Sequence, residues 1–533
     1  MDRALSRYAF IAVALMVGLF NMTPPGAFAA SQPPLIAARN LDVNTLDPSR
    51  SNGDTANIFM YAVYEPLIRL SDDNATLLPL LAERWEVAEE NTKFTFHLDP
   101  KALFDDGSPV EAKDVKWTWD RMINLQGAFA WLLDGVASIE TPDSHTVVVT
   151  LKSPDGEFLS KIVAPPTGII NSDVATSHGA KSTKEEAATD SAEPWFLSHS
   201  AGSGPYALKS YSPNDELRLK RNAAYWGKPA SIEEIVLKQV KDSVAQAQAL
   251  QSGDVDIAMQ IAADTAKTIT SADVIIKTEP SYNFLYIALS PGAKSLAVPL
   301  SPRVRQALSL AIDYKGIIDI TVGGAGKVLP SPIPDGFPGT KGLPEPSYDP
   351  VKAKALLAEE GFAEGFDIEA SFPNENFFGV DVATMMQKVQ QDLAKVNVRV
   401  QLKPVTFAVW LNIINGDGTP LTAGYYGPDY FGTDNYVNTF AMIPGTRWFK
   451  RSGASRVDGV MNAKERDLLL KAGASPASDR NSIYHEIAKE MVNDKIIIPL
   501  VSPDLVIAHS KKVQGLKYGV SPIVALQNLS FSQ

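Results

Sequence analysis

The sequence predicts an α/β protein, on three observations. Period-two apolar alternation recurs along the chain, capped helix starts are interspersed with it, and in the second half the two patterns combine into a strand-helix-strand unit. The last of these points to a parallel sheet, because parallel neighbours need a crossover connection and a helix usually supplies it.

Each element follows in chain order. Arg3 and Arg7 precede an apolar run from Tyr8 to Phe20, and Ala27-Phe28-Ala29 then offers small residues, so residues 1–29 are expected to be a signal peptide cut near Ala29. The run is short for a hydrocarbon layer of ~30 Å, which argues against a retained anchor. Phe94, Phe96 and Leu98 alternate as a half-buried strand does, and Val147, Val149 and Leu151 repeat the pattern after the turn Pro142-Asp143-Ser144. Residues 177–193 are small and polar and read as a surface excursion. From Tyr206 to Arg221 two alternating runs flank Ser212-Pro213-Asn214-Asp215, a hairpin signal.

Ser301-Pro302 caps and opens a helix with Val304, Leu308 and Ala311 on one face. Asp349-Pro350 opens another, which Gly361 closes. The combined unit is the strand Phe366 to Phe372, a helix from Asp381 carrying Met385, Val389 and Leu393, and the strand Val398-Val400-Leu402.

Composition bounds the function. The 533 residues include no cysteine, so disulfides, thiolate metal sites, a cysteine nucleophile and a lipidated-cysteine tether are all excluded. The exported chain is then expected to be free in solution. A formal net charge of -12 repels polyanions, and nucleic acid is not an expected partner.

Catalytic and metal motifs fail. His485-Glu486 starts like a zinc-protease helix, but Lys489 stands where the second histidine belongs, and a solvated helix face is expected instead. Gly323-Gly324-Ala325-Gly326-Lys327 has the wrong spacing for a phosphate loop and reads as a flexible loop. Ser203 lacks the first glycine of a nucleophile elbow. The six histidines are scattered, so no metal and no cofactor is expected. The acidic pairs Asp72-Asp73, Glu89-Glu90 and Asp105-Asp106 read as solvated turns. The pattern favours a binding protein over an enzyme.

Four stretches carry a family resemblance. They are Thr45-Leu46-Asp47-Pro48 with Tyr64-Glu65-Pro66-Leu67; Leu80 to Val87 leading through Phe94-Thr95-Phe96-His97-Leu98 to Phe104-Asp105-Asp106-Gly107-Ser108-Pro109-Val110, with Ala112, Asp114 and Val115; Gly202-Ser203-Gly204-Pro205-Tyr206 with Asn222 to Trp226; and Val304 to Asp313. In this order they resemble the family 5 extracellular solute-binding proteins of bacterial ABC importers, the peptide, oligopeptide and nickel type. The resemblance implies a periplasmic-binding-protein fold of two α/β lobes joined by two hinge crossings, with an extra subdomain on the first lobe. The corresponding boundaries are lobe I at 30–283 plus 501–533, with the small subdomain at roughly 70–195, and lobe II at 284–500. Crossings are expected near Tyr282 to Leu289, read as an alternating apolar strand, and near Ile496 to Ser502. The implied protein is a periplasmic monomer that hands a small ligand to membrane permease subunits.

The resemblance also implies a site. Tyr425 to Tyr436 matches the family's cleft motif through Gly427-Pro428-Asp429-Tyr430, with Tyr426 where tryptophan is usual and Phe431-Gly432-Thr433 departing from the pattern. Peptide-binding members pair the carboxylate at Asp429's position with the ligand's α-ammonium. As a residue between proline and an aromatic ring, Asp429 has a second reading as a turn cap. Tyr426 either stacks on the ligand or packs the lobe, and Tyr430 completes the matched run. Asp434 is expected to stabilise the loop. Dipeptide-type members carry an arginine in the loop that here reads Asn376-Phe377-Phe378, so Asn376 and Phe378 are candidates for a wall without a carboxylate grip. Asn52 and Gly53 of the first lobe and Trp131 of the subdomain complete the set, with a surface turn and a core ring as their plainer readings. The expected ligand is a peptide or an amine-bearing small molecule. The alternatives are an oligosaccharide or a metal chelate, a sensing or chaperone role, and a secreted hydrolase.

Overall fold

A central sheet builds each half of the molecule. The computed structural model describes residues 32–71, 74, 76–519 and 524–532, so the signal segment and Asp72-Asp73 lie outside the described residues. One seven-stranded sheet runs in the order Val274–Glu279, Leu505–Ser510, Ile257–Ala258, Leu35–Arg39, Glu234–Gln239, Glu216–Arg221, Tyr206–Ser212. A six-stranded sheet runs Gly326–Lys327, Ile497–Pro503, Phe284–Leu289, Leu421–Tyr426, Phe366–Pro373, Val398–Val405. We call the bodies built on them lobe I and lobe II.

The expected elements form for the expected reasons. Ser301 Oγ accepts from Val304 N at 3.2 Å, Asp349 Oδ1 from Lys352 N at 2.9 Å and Asp381 Oδ1 from Thr384 N at 2.7 Å, so all three caps satisfy helix donors that have no intrahelical partner. Phe366–Pro373 pairs in parallel with Val398–Val405 across the helix Val382–Ala394, whose Met385, Val389 and Leu393 are buried against the sheet. The hairpin turns with Asn214 in the left-handed region, which asparagine tolerates.

Two strands connect the lobes. The chain leaves lobe I at Glu279 and enters the lobe II sheet at Phe284, and it returns between Pro503 and Leu505. The two passages are laced together: Ser502 Oγ donates to Asn283 O at 2.9 Å and Ser281 Oγ to Pro503 O at 2.5 Å. Phe284–Leu289 does not alternate as read; all six residues are buried because the strand is central, with neighbours on both edges and layers on both faces.

A four-stranded antiparallel sheet, Ala82–Ala88, Lys93–Leu98, Thr146–Leu151 and Val136–Asp143, forms the small subdomain with the helix Ala112–Leu125, which buries Trp119 and Met122 against it. The family motifs turn out to be ties between these parts. Asp47 accepts from both Arg121 Nη atoms at 2.6 Å, a bidentate pair with no exposed surface. Glu65 accepts from Ser203 Oγ at 2.8 Å, Tyr225 OH at 2.7 Å and Trp226 Nε1 at 2.9 Å, joining the first motif to the third. Gly202 and Gly204 press against the backbone of Ala62 and Val63, where any Cβ would overlap a carbonyl oxygen.

Residues 177–193 are a largely exposed surface stretch, as expected, and are anchored where Asp190 inserts a carboxylate between Arg121 Nε at 3.1 Å and Arg50 Nη1 at 2.8 Å. Two expectations need correction. Residues 323–327 are a helix end and a short strand pairing with Ser502 and Pro503, rather than a free loop. His485 is half-buried, its Nδ1 2.9 Å from Gly339 O, so it is tied to a neighbouring loop instead of standing on a solvated face.

Candidate functional site

The strand Leu421–Tyr426 ends at the sheet margin, runs through Gly427 to Gly432, and re-forms as the helix Thr433–Phe440. Gly427 lets this loop approach the connection between lobes, since a Cβ there would overlap Asn283 Oδ1. Asp429 sits at the turn. Its carboxyl is pushed up to about 6, first by burial, against the lowering effect of the Arg447 charge and the Asn435 amide. The residue is nonetheless half-open to solvent. Asp429 is thus a mostly enclosed carboxyl that keeps part of its surface in solvent.

The other predicted residues divide. Tyr426 is 8% exposed and lies in the lobe II core against Tyr436 and Phe440, with its hydroxyl donating to Asn435 Oδ1 at 2.5 Å and accepting from Thr439 Oγ1 at 2.9 Å. Tyr430 is 3% exposed and packs into the subdomain core, its ring 6.0 Å from Trp131 and its hydroxyl 2.7 Å from Asp434 Oδ1. Both hydroxyls and rings are engaged in packing, Tyr426 because its strand is interior to lobe II and Tyr430 because its loop inserts the ring into the subdomain core. Asp434 does hold the loop, as read.

Trp131 is 37% exposed, with one side against Tyr430 and the rest open. Asn376 is exposed, and its Oδ1 accepts from Gly379 N at 3.1 Å to close a two-residue hairpin. The hairpin tip is Phe378-Gly379, with φ of 53° and 85°, the two positive values that a type I′ turn requires. A phenylalanine in that region is strained. The turn holds the Phe378 ring edge-on to Tyr425, at 5.8 Å and 71°. Asn52 is exposed and Gly53 half-exposed; Gly53 has φ 111° and lies against Asp42, whose carboxylate accepts from Asp54 N at 2.8 Å and Thr55 N at 3.0 Å to cap the helix Asp54–Val63.

Two residues beside these belong to stretches that the sequence had already marked, Tyr425 at the start of the matched motif and Asp54 at the end of the loop Ser51-Asn52-Gly53-Asp54. Tyr425 stacks on Phe377 at 3.8 Å and 20°, and burial raises its phenol, helped by the charges of Asp54 and Glu375. Asp54 belongs to lobe I. Its own carboxyl is raised by burial, with Arg39 lowering and Asp42 raising it, and it too is half-open to solvent. Chemically, the cleft offers carboxylates and aromatic surface. Among the described residues no group of three or more His, Asp or Glu side chains is placed to hold a metal ion, and no helix is long and apolar enough to cross a membrane.

Comparison with known proteins agrees with this architecture. A family model described as bacterial extracellular solute-binding proteins, family 5 Middle, matches residues 76–443. The chain is 26% identical over 499 residues to the probable D,D-dipeptide-binding periplasmic protein DdpA of Escherichia coli (strain K12), with 91% of each chain covered. It is 26% identical over 532 residues to the glutathione-binding protein GsiB of Shigella dysenteriae serotype 1 (strain Sd197), with 97% of each covered. Among solved structures, HbpA2 from Haemophilus parasuis matches at a TM-score of 0.81 and 23% identity, over 94% of this chain and 100% of that one, a likeness of fold. The resemblance carried by the four motif stretches is thus borne out, and the chain belongs to the bacterial extracellular solute-binding proteins, family 5.

Proposed function

We propose that this chain is an exported, periplasmic receptor that captures a short peptide or another amine-bearing molecule between its lobes and delivers it to the permease of an ABC importer. The single observation that carries this reading is Asp429, an enclosed but reachable carboxylate on the cleft wall. A carboxylate removed from bulk water attracts an ammonium more strongly than one in it, and the pair gains most when the lobes shut around it. Relatives named for D,D-dipeptides and glutathione support a ligand of peptide character. Asn376 and Phe378 stand where dipeptide-type members grip a terminal carboxylate, so the reading favours ligands recognised by an amine end and an apolar body. On this reading the two lobes close about the laced connections at residues 279–284 and 503–505, and the protein acts as a monomer.

The test is thermal-shift screening against peptides, amines, sugars and metal chelates, with wild type and Asp429→Asn, since a ligand that binds the folded state raises Tm. The expected result is a shift with amine-bearing ligands that the substitution removes. Shifts confined to sugars or chelates, and equal in both proteins, would overturn it. Mass spectrometry of the incubated ligand is expected to show no product.

A further inference from the structure

Phe378 occupies a place in its hairpin that its side chain disfavours. The strands Asn376–Phe377 and Val380–Asp381 pair with only Phe378 and Gly379 between them, and both linking residues have positive φ, 53° and 85°. Such turns take Asn-Gly, Asp-Gly or Gly-Gly, because those residues enter the left-handed region at little cost and a bulky ring does not. Among the described residues, every other non-glycine position with positive φ is polar: Asn, Glu, Gln or Lys. The turn therefore does not select a phenylalanine here; the ring does. Strain of this kind persists where the strained residue is put to use.

The ring joins an aromatic row. It stands edge-on to Tyr425 at 5.8 Å and 71°, Tyr425 stacks on Phe377 at 3.8 Å, and Phe407 lies 6.1 Å from Phe377 and 6.3 Å from Tyr425. All four rings are half-exposed, so the row is an apolar surface left partly open rather than a closed core. At its other side, Phe378 Cζ is 3.9 Å from the position a Cβ on Gly427 would take. Gly427 opens the run Gly427-Pro428-Asp429. Two residues of chain span at most about 7 Å, so the aromatic row ends beside the Asp429 carboxyl.

Resting on the amine-receptor reading above, we propose that Phe378, with Tyr425 beside it, forms a side-chain subsite next to Asp429, and that the preferred ligand is a peptide whose first residue is aromatic. Such a peptide carries its ring right next to its α-ammonium, so the amine meets Asp429 while the ring meets Phe378. Ring pairs gain most in edge-to-face or offset arrangements, and Phe378 and Tyr425, nearly perpendicular to each other, offer a third ring both an edge and a face. The left-handed turn is what aims Phe378 this way, and Asn376 Oδ1, accepting from Gly379 N at 3.1 Å, holds the turn closed.

The test is calorimetric titration with phenylalanyl-alanyl-alanine amide and alanyl-alanyl-alanine amide, on wild type and Phe378→Asn. Wild type is expected to bind the phenylalanyl peptide about three- to tenfold more tightly, the range for burying roughly half a phenyl ring. Phe378→Asn supplies the pair that this turn prefers and removes the ring, so the preference should vanish while Tm stays at or above that of wild type. A Tm several degrees lower would show that the turn keeps its ring for packing alone, and would overturn the subsite. Equal affinity of the two peptides for wild type, or an undiminished preference in the variant, would overturn it too and leave the amine receptor standing. An N-acetylated phenylalanyl peptide bound as tightly as the free amine would instead overturn the Asp429 contact on which the proposal rests. If neither peptide binds, both readings fall.

Discussion

Lys161 Nζ lies 3.0 Å from Asp434 Oδ2 and 2.6 Å from Asp155 Oδ2, so one ammonium of the subsidiary domain is shared between its own loop and the cleft loop of lobe II. Tyr430 reinforces the contact, its hydroxyl on Asp434 and its ring 5.9 Å from the same ammonium. Around it, Asn91 Nδ2 donates to Gly473 O at 2.9 Å and Ser475 O at 3.2 Å, and Gly156 admits the Arg480 guanidinium, which a Cβ would displace. The loop that carries Asp429 is therefore positioned from the opposite lobe.

Removing that ammonium should undock the subdomain. Lys161→Met leaves Asp155 and Asp434 without their shared counter-charge in a buried place, a loss of about 3–5 kcal/mol for a broken buried pair. The expected result is a larger radius of gyration by small-angle scattering together with a lower Tm. An unchanged scattering profile would show that the contact does not govern the arrangement of the lobes.

The same contact should respond to pH. Glu157 is pushed up to about 7 by burial and by the Asp434 charge, against Arg480 and the Tyr484 hydroxyl, with Asp155 adding to the rise. Its folded value lies above its ordinary one, so its contribution to stability is full below about pH 4.5 and is lost as pH rises through about 7. Glu157→Gln should flatten the fall in Tm between pH 5 and 8 relative to wild type. The comparison isolates Glu157 from Asp429 and Asp494, each pushed up to about 6 first by burial, because both proteins contain them.

Arg121 tests the motif ties. It is fully buried between Asp47 and Asp190, and Arg121→Met leaves the two carboxylates to share the partly exposed Arg50 alone, a loss of about 3 kcal/mol. Chemical denaturation should show a lower midpoint, while the relative order of ligands in a binding panel stays as in wild type.

A buried acid pair in lobe II makes a parallel prediction over a wider range. Burial, first, and the neighbouring Asp494 charge push Glu465 up to about 9, and its Oε2 accepts from Met442 N at 2.7 Å. Glu465→Gln keeps a neutral acceptor in place and should lie within about 1 kcal/mol of wild type in stability below about pH 4.5, where Glu465 is protonated folded or unfolded. Above that pH the unfolded chain ionises Glu465 while the folded core resists, so the variant should gain on wild type progressively up to about pH 9 and keep that gain in alkaline melts.

Sequence alone determined a good deal here. Alternation, capping residues and the strand-helix-strand unit reported the α/β architecture because those patterns are local: Ser301, Asp349 and Asp381 act within three residues of themselves. The run around Asp429 was legible as a match to the family's motif. What the sequence left ambiguous were roles that depend on the distant partner. Tyr426 and Tyr430 flank Asp429 and look alike on paper, yet one faces the lobe II core and the other crosses into the subdomain core. Only the tertiary structure decided which carboxylates are consumed by the protein's own donors, as Asp47, Glu65 and Asp434 are, and which stay open, as Asp54 and Asp429 do. The physical reason is that a charge's use is set by what surrounds it after folding, and burial and pairing are properties of the assembled cleft rather than of any segment.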